Sequence, residues 1–260
     1  MAAVRPHCGS RWLLKLDVRR FFESISELSV YKVFRRLGYQ PLVSLELARL
    51  CTRVGPVSRL RRTARWVRRA PPYVATIHKY AARRFGHLPQ GAPTSPMLAN
   101  LVMLDADAAL TKVAQAHGLI YTRYADDLTF STRRKDFDRL EAADVIKHVY
   151  RILGRFGLEP NFAKTNVIPP RARKVVLGLL ADQTEPRLTR EFKSKMRQHL
   201  YYLEHPDVGP LKHADKRGFS AVAGMKNHLF GLAAYARQVE PTYGASLVQR
   251  LSAVHWPLAY

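Results

Sequence analysis

The chain of 260 residues is 47% hydrophobic, enough to bury a substantial core in one large domain or two modest ones, and it reads as folded rather than disordered. Lysine and arginine number 43 against 20 aspartates and glutamates, a formal charge of +23 that calls for a polyanionic partner without choosing between RNA, DNA and anionic lipid. No apolar run approaches the length of a membrane span. Trp12 to Leu16 is too short for a signal core and is interrupted by Lys15, and Cys8 and Cys51 lack the spacing of a zinc site. A cytoplasmic location with no membrane partner is therefore expected.

In chain order, Trp12-Leu13-Leu14-Lys15-Leu16 is an apolar run of the kind that forms a buried strand, and it delivers Asp17 at its end. Phe22, Ile25, Val33 and Leu37 recur near the helical period, which predicts a helix from Phe21 to Leu37 closed by Gly38. Leu42 to Cys51 reads as another short helix. From Arg53 to Arg69 the chain is crowded with arginine, including Arg59, Arg61 and Arg62, and Trp66, Tyr73 and Tyr80 are interleaved or close by. Both a solvated basic loop and a surface that tracks nucleic acid fit that composition. Leu88-Pro89-Gln90-Gly91-Ala92-Pro93-Thr94-Ser95-Pro96 then fixes the backbone ahead of an amphipathic helix from Met97 to about His117. It presents a glutamine and small hydroxyls at a helix N-terminus, where anions bind.

The arms Leu119-Ile120-Tyr121 and Leu128-Thr129-Phe130 alternate in polarity and meet at Ala125-Asp126-Asp127, a β-hairpin with two adjacent carboxylates at its tip. Such a pair is either a solvated turn or a place where a divalent cation absorbs the charge. Asp17 likewise reads as a helix-start residue or as a further carboxylate of such a site. Asn161-x-x-Lys164-Thr165 follows a helix ending at Gly157, and a hairpin is predicted between Lys174 and Arg187 around Leu177-Gly178-Leu179. Beyond it the chain reads as helices. Thr189 is an N-cap with Phe192, Met196, Leu200 and Leu203 on one face, and two further helical patterns run from Met225 to Gln238 and from Thr242 to Val254. Their polar faces carry Lys193, Lys195, Arg197, Lys212, Lys216, Arg217 and Lys226.

LDVRRFFESI, LPQGAPTSPMLANL, GLIYTRYADDLTFS, GLEPNFAKTNV and VVLGL, in this order, resemble palm motifs A to E of reverse transcriptases. Their wording is most similar to the retron type, bacterial enzymes that copy part of a dedicated structured RNA. Leu232-Ala233-Ala234-Tyr235 and the segment from Val239 to Gly244 resemble the family's thumb. The resemblance implies an α+β fold, a polymerase right-hand palm of antiparallel sheet packed on helices followed by an α-helical thumb. Palm and partial fingers would occupy 1–186, with a basic insertion at about 40–86, and the thumb 187–260. It also implies RNA-directed DNA polymerase activity with two Mg²⁺ ions, or Mn²⁺, at Asp17, Asp126 and Asp127. Asp17 and Asp126 would bridge the metals and Asp127 would support them.

Other roles carried by the resemblance are the ring under the incoming sugar for Phe22, the nucleotide and template contact for Gln90, and the leaving pyrophosphate for Lys164. Leu177 and Gly178 match the primer grip, and Tyr124 packs the palm or touches primer. Implied partners are a structured RNA template, an RNA/DNA duplex held by shape, dNTPs, a cognate non-coding RNA and a defence effector protein in antiphage defence. The pattern also departs from the family. Sixteen residues precede Asp17 where retron-type enzymes carry a sizeable fingers region, the family's VTG reads Val176-Leu177-Gly178, and NAxxH is not found between motifs A and B. The fingers are expected to be lost, encoded upstream, or supplied by another chain. A second reading, an incomplete and non-catalytic palm-thumb module that binds RNA or RNA/DNA duplex, stands beside the first.

Overall fold

The computed structural model describes residues 1–55 and 85–257, so the expectations for Arg59, Arg61, Arg62, Trp66, Tyr73 and Tyr80 lie outside the described residues. Contacts divide the chain into two compact units, Arg11–Pro169, and Met1–Ser10 with Pro170–Tyr260.

The larger unit is organised on β1 (Trp12–Arg19). With β2 (Ile120–Tyr124), β3 (Asp127–Thr132), β4 (Glu159–Pro160) and β5 (Asn166–Ile168) it forms a sheet ordered β2-β3-β1-β4, in which β5 also pairs with β1. All these pairings are antiparallel, and β3 pairs with β1 from Trp12 opposite Thr132 to Asp17 opposite Asp127. The helices are α1 (Phe21–Ser24), α2 (Glu27–Arg36), α3 (Pro41–Cys51), α4 (Ser95–Ala116) and α5 (Arg139–Arg155).

Side chains alternate across the sheet. Trp12, Leu14, Leu16 and Val18 of β1 enter the apolar core with Leu128 and Phe130 of β3, together with Leu98, Met103 and Leu110 of α4 and Val145, Val149 and Leu153 of α5. Full burial stabilises by about 1.5 to 3 kcal/mol for each such side chain, which fixes the register of β1. The period of two then puts Lys15 and Asp17 on the opposite face with Asp127 and Thr129.

Two local expectations are corrected. β1 continues past Leu16 because β3 and β4 go on pairing with it, so Asp17 lies inside the strand rather than at its end. The single helix expected from Phe21 to Leu37 is two, α1 and α2, broken at extended Ile25 and Ser26. The Ser26 side chain accepts the Ser29 N–H at 3.2 Å and caps α2. Segment 86–88 docks at the break: Leu88 N donates to Ile25 O, Glu27 N donates to Gly86 O, and Gly86 N donates to Glu27 Oε2.

In the smaller unit β6 (Val175–Val176), β7 (Leu179–Leu180) and β8 (Arg187–Leu188) form an antiparallel meander. The loop joining β6 to β7 is Leu177-Gly178, with φ of 48° and 79°, the positive pair of a type I′ turn. Helices α6 (Arg190–Glu204), α7 (Gly209–Lys216), α8 (Val222–Val239) and α9 (Pro241–Ala253) follow. Thr189 caps α6 as expected, accepting from Phe192 N at 3.2 Å, while Met196, Leu200 and Leu203 are buried. Glu240, between α8 and α9, accepts from Leu188 N at 2.9 Å and from Lys193 Nζ at 2.6 Å. Lys193 is thus tied down within the unit rather than standing on a free basic face. Residues 170–186 group with these helices. Among the described residues, no helix is long and apolar enough to cross a membrane.

Candidate active site

The alternation of β1 sets Asp17 on the face of the sheet opposite the apolar core, directly across from Asp127. Its side chain is only 8% exposed, and both of its oxygens are engaged. Asn161 Nδ2 donates to Oδ1 at 2.8 Å and Lys164 Nζ donates to Oδ2 at 3.0 Å, while the Asn161 backbone N–H donates to the Asp17 carbonyl at 2.8 Å. A 3-10 turn over Phe162–Lys164, between β4 and β5, brings the lysine back to the strand. The bond to Asp17, supported by the charges of Asp126 and Asp127, holds the Lys164 ammonium above the ordinary lysine range.

Asp127 is pushed up from the usual carboxylate range, first by partial burial and then by the charge of Asp126, with Asp17 adding to the repulsion and Lys15 and Lys164 opposing it. Like charge gathered at Asp127 is of the kind that a bound cation offsets, as Lys15 and Lys164 do in part here. Their hard oxygens suit a divalent ion of the magnesium kind. Among the described residues, the one group of three His, Cys, Asp or Glu donors within 4.8 Å of one another lies elsewhere, at His117, Asp144 and His148. At the aspartates, Lys164 takes one oxygen of Asp17.

The hairpin tip is held from behind. Ala125, with φ of 51°, and Asp126 form the two-residue loop between β2 and β3, and Val18 N donates to Asp126 O at 3.0 Å. Arg123 donates through Nη1 to Ala125 O at 3.0 Å and to Asn100 Oδ1 at 3.1 Å, and through Nε and Nη2 to the two oxygens of Asp107 at 2.9 and 2.7 Å. Tyr121 Oη donates to Asp107 at 2.8 Å. Burial opposes the Arg123 charge, but the Asp107 pair outweighs it and keeps the guanidinium protonated.

Asp17, Asp126, Asp127 and Lys164 are brought together within one unit. Phe22 lies in α1, half-buried and edge-on to Phe21 with ring centroids 5.3 Å apart. Gln90 is exposed in the turn before α4, where Gly91 has φ of 88° and Ser95 Oγ donates to Pro89 O at 2.7 Å. Tyr124 is 64% exposed at the end of β2, opposite Asp127. Leu177 and Gly178 belong to the other unit. Sequence reasoning did not single out Lys15, Arg123, Asp107 or the carboxamide of Asn161. The signal for Lys15 was its spacing of two from Asp17 in an otherwise apolar strand.

An antiparallel sheet backed by helices on one face and carrying paired carboxylates on the other has the palm architecture of a nucleic-acid polymerase. The chain belongs to the reverse transcriptase family: residues 1–179 match the family described as Reverse transcriptase (RNA-dependent DNA polymerase). It is 31% identical to the Retron Ec86 reverse transcriptase of Escherichia coli over 92% of this chain and 64% of that protein. It is 32% identical to the Retron Mx65 reverse transcriptase of Myxococcus xanthus over 94% of this chain and 50% of that protein. With the Retron Mx162 reverse transcriptase of the same organism it shares 28% identity over 95% of this chain and 48% of that protein. The chain thus spans between about half and two thirds of the length of these relatives.

Proposed function

We propose that this chain supplies the palm with partial fingers, through residue 186, and the helical thumb, from residue 187, of a retron-type RNA-directed DNA polymerase. In this reading it adds dNTPs to a primer 3′ end or an RNA hydroxyl on a structured RNA template. The observation that carries the proposal is Asp17 standing opposite Asp127 on paired strands, with Asp126 at the adjoining tip and Lys164 bonded to Asp17.

Asp17, Asp126 and Asp127 would hold two Mg²⁺ ions, replaceable by Mn²⁺. When bound, the ions supply Lewis-acid stabilisation of the attacking and leaving oxygens. Asn161 presets the Asp17 carboxylate by holding Oδ1. Lys164, placed beside Asp17, would be a donor for the departing pyrophosphate. Phe22 would pack under the incoming sugar and exclude a ribose 2′-hydroxyl, while Gln90 would approach the nucleotide and template. Tyr124, Leu177 and Gly178 are assigned to primer and template.

The exposed cations Lys195, Arg197, Lys212, Lys216 and Arg217 suit an RNA/DNA duplex recognised by backbone and shape. A cognate non-coding RNA and a defence effector complete the proposed cytoplasmic antiphage system. Primer extension on an annealed RNA template with dNTPs and Mg²⁺ tests the reading. DNA synthesis by the chain that is lost in the Asp126→Asn, Asp127→Asn double variant supports it. Duplex binding without synthesis in either protein would instead assign a non-catalytic palm-thumb module.

A further inference from the structure

We infer that His117, Asp144 and His148 form a binding site for a transition-metal cation of the Zn²⁺ class, separate from the aspartates of β1 and the hairpin. One ligand atom from each residue lies within 4.8 Å of the others. Asp144 and His148 are four apart on α5 and therefore share a face, while His117 caps the C-terminus of α4. Asp144 Oδ2 stands 3.3 Å from His148 Nδ1 and 4.0 Å from His117 Nε2. Tetrahedral ligands at zinc bond lengths sit about 3.3 Å apart, so of the three ligand pairs one is already at that spacing and the other two, within 4.8 Å, close by side-chain rotation.

The surroundings prepare His117 as a ligand. Its Nδ1 lies 3.4 Å from Glu141 Oε1, an arrangement that fixes the ring and leaves Nε2 facing Asp144, as in a carboxylate–histidine–metal relay. Arg134 donates to the His117 carbonyl at 2.9 Å and to Glu141 at 2.8 Å, which pins both the backbone and the carboxylate. Among the described residues, the basic side chains within 4.0 Å of the Asp144 carboxylate are two imidazoles. Imidazole donors favour zinc, nickel or copper over magnesium. On binding, His148 Nδ1 gives up its bond to the Asp144 carbonyl, and the half-exposed site leaves a fourth position for water. The ion would brace the end of α4, from which the chain enters β2, against the middle of α5.

The test uses the full chain stripped with EDTA. Titration with Zn²⁺ by calorimetry, the visible spectrum of the Co²⁺ form, and thermal melting are compared among wild type, the His117→Gln, His148→Gln variant, and the Asp126→Asn, Asp127→Asn variant. One equivalent of Zn²⁺ is expected to bind wild type and the aspartate variant alike and to raise melting by roughly 5 °C at saturating metal. The histidine variant should lose the binding, the Co²⁺ spectrum and the shift. Asp144→Asn, on an exposed carboxylate, reads the same loss should the double substitution melt without cooperativity. Retention of the Zn²⁺ equivalent by the histidine variant, its loss in the aspartate variant, or no binding by wild type would overturn the inference.

Discussion

Asp127→Asn keeps the shape of the side chain and removes one of three neighbouring negative charges, so it separates what the charge does for folding from what it does for chemistry. Residues directly opposite on antiparallel strands have side chains about 5 to 6 Å apart, and at an effective dielectric near 20 two unit charges at that distance repel by roughly 3 kcal/mol. Lys164 at 3.0 Å from Asp17 offsets part of this, as do Lys15 and the partial solvent exposure of Asp127. A net penalty of about 1 kcal/mol remains.

In EDTA the variant is therefore expected to melt about 2 to 4 °C above wild type. The sign of the pH dependence follows from the raised folded-state value of Asp127. The folded chain binds this proton more tightly than the unfolded chain, so wild-type stability rises as pH falls through that value. The advantage of the variant is full above it and vanishes below about pH 4. In Mg²⁺ the order should reverse, because wild type gains from ion binding, and DNA synthesis by the variant should fall by at least roughly 100-fold. Differential scanning fluorimetry with and without Mg²⁺, beside primer extension, measures all of this. A variant that melts below wild type in EDTA would show that Asp127 is held by favourable contacts rather than by neutralising cations, and the charge argument would fail.

Lys164→Met should slow DNA synthesis by about 10- to 100-fold and, because it removes the cation beside Asp17, lower the melting temperature in EDTA, checked by single-turnover extension and a thermal melt; a normal rate removes the lysine from the chemistry. Gly244→Ala drives a Cβ into the Arg237 backbone where α8 meets α9, and should cost about 1 to 3 kcal/mol or more, seen as an earlier unfolding transition. Buried His199 and His213 face each other at 2.9 Å; burial followed by the charge of His213 pushes His199 down to about 4, and burial followed by the charges of Arg217 and Lys216 lowers His213 as well. With both folded values below the unfolded value near 6.5, their contribution is complete above that pH and is lost as pH falls toward 4. Wild type should melt lower at pH 5 than at pH 7, and His199→Leu with His213→Leu should flatten the difference; an unchanged slope would locate the proton uptake elsewhere.

What was legible in the sequence was what is decided locally. The apolar run from Trp12 to Leu16, the tight corner at Ala125, and the Thr189 cap each depend on neighbours in the chain, and each was readable without the fold. The break at Ile25 and Ser26 was not, because hydrogen bonds from residues 86–88 compete with continued helix there. Ser26 as a cap was a visible but unheeded sign. The contacts that fix Asp17 come from 144 and 147 residues away, through Asn161 and Lys164, so motif order placed the lysine near the site without giving its partner. The network of Arg123, Asp107 and Tyr121 behind the hairpin tip likewise joins a helix to a strand that only the fold brings together.

The shared register of β1 makes this strand intolerant of insertion or deletion in a way that its length alone does not suggest. Moving it by one residue against β3 would turn Lys15 and Asp17 into the core and carry Leu16 and Val18 onto the carboxylate face. Foldability and the carboxylate constellation would be lost in the same event. Selection for a folded chain therefore also preserves the spacing of the carboxylates, and variants of Trp12–Arg19 that survive a stability screen should be substitutions that keep polar and apolar positions in step, never changes of length.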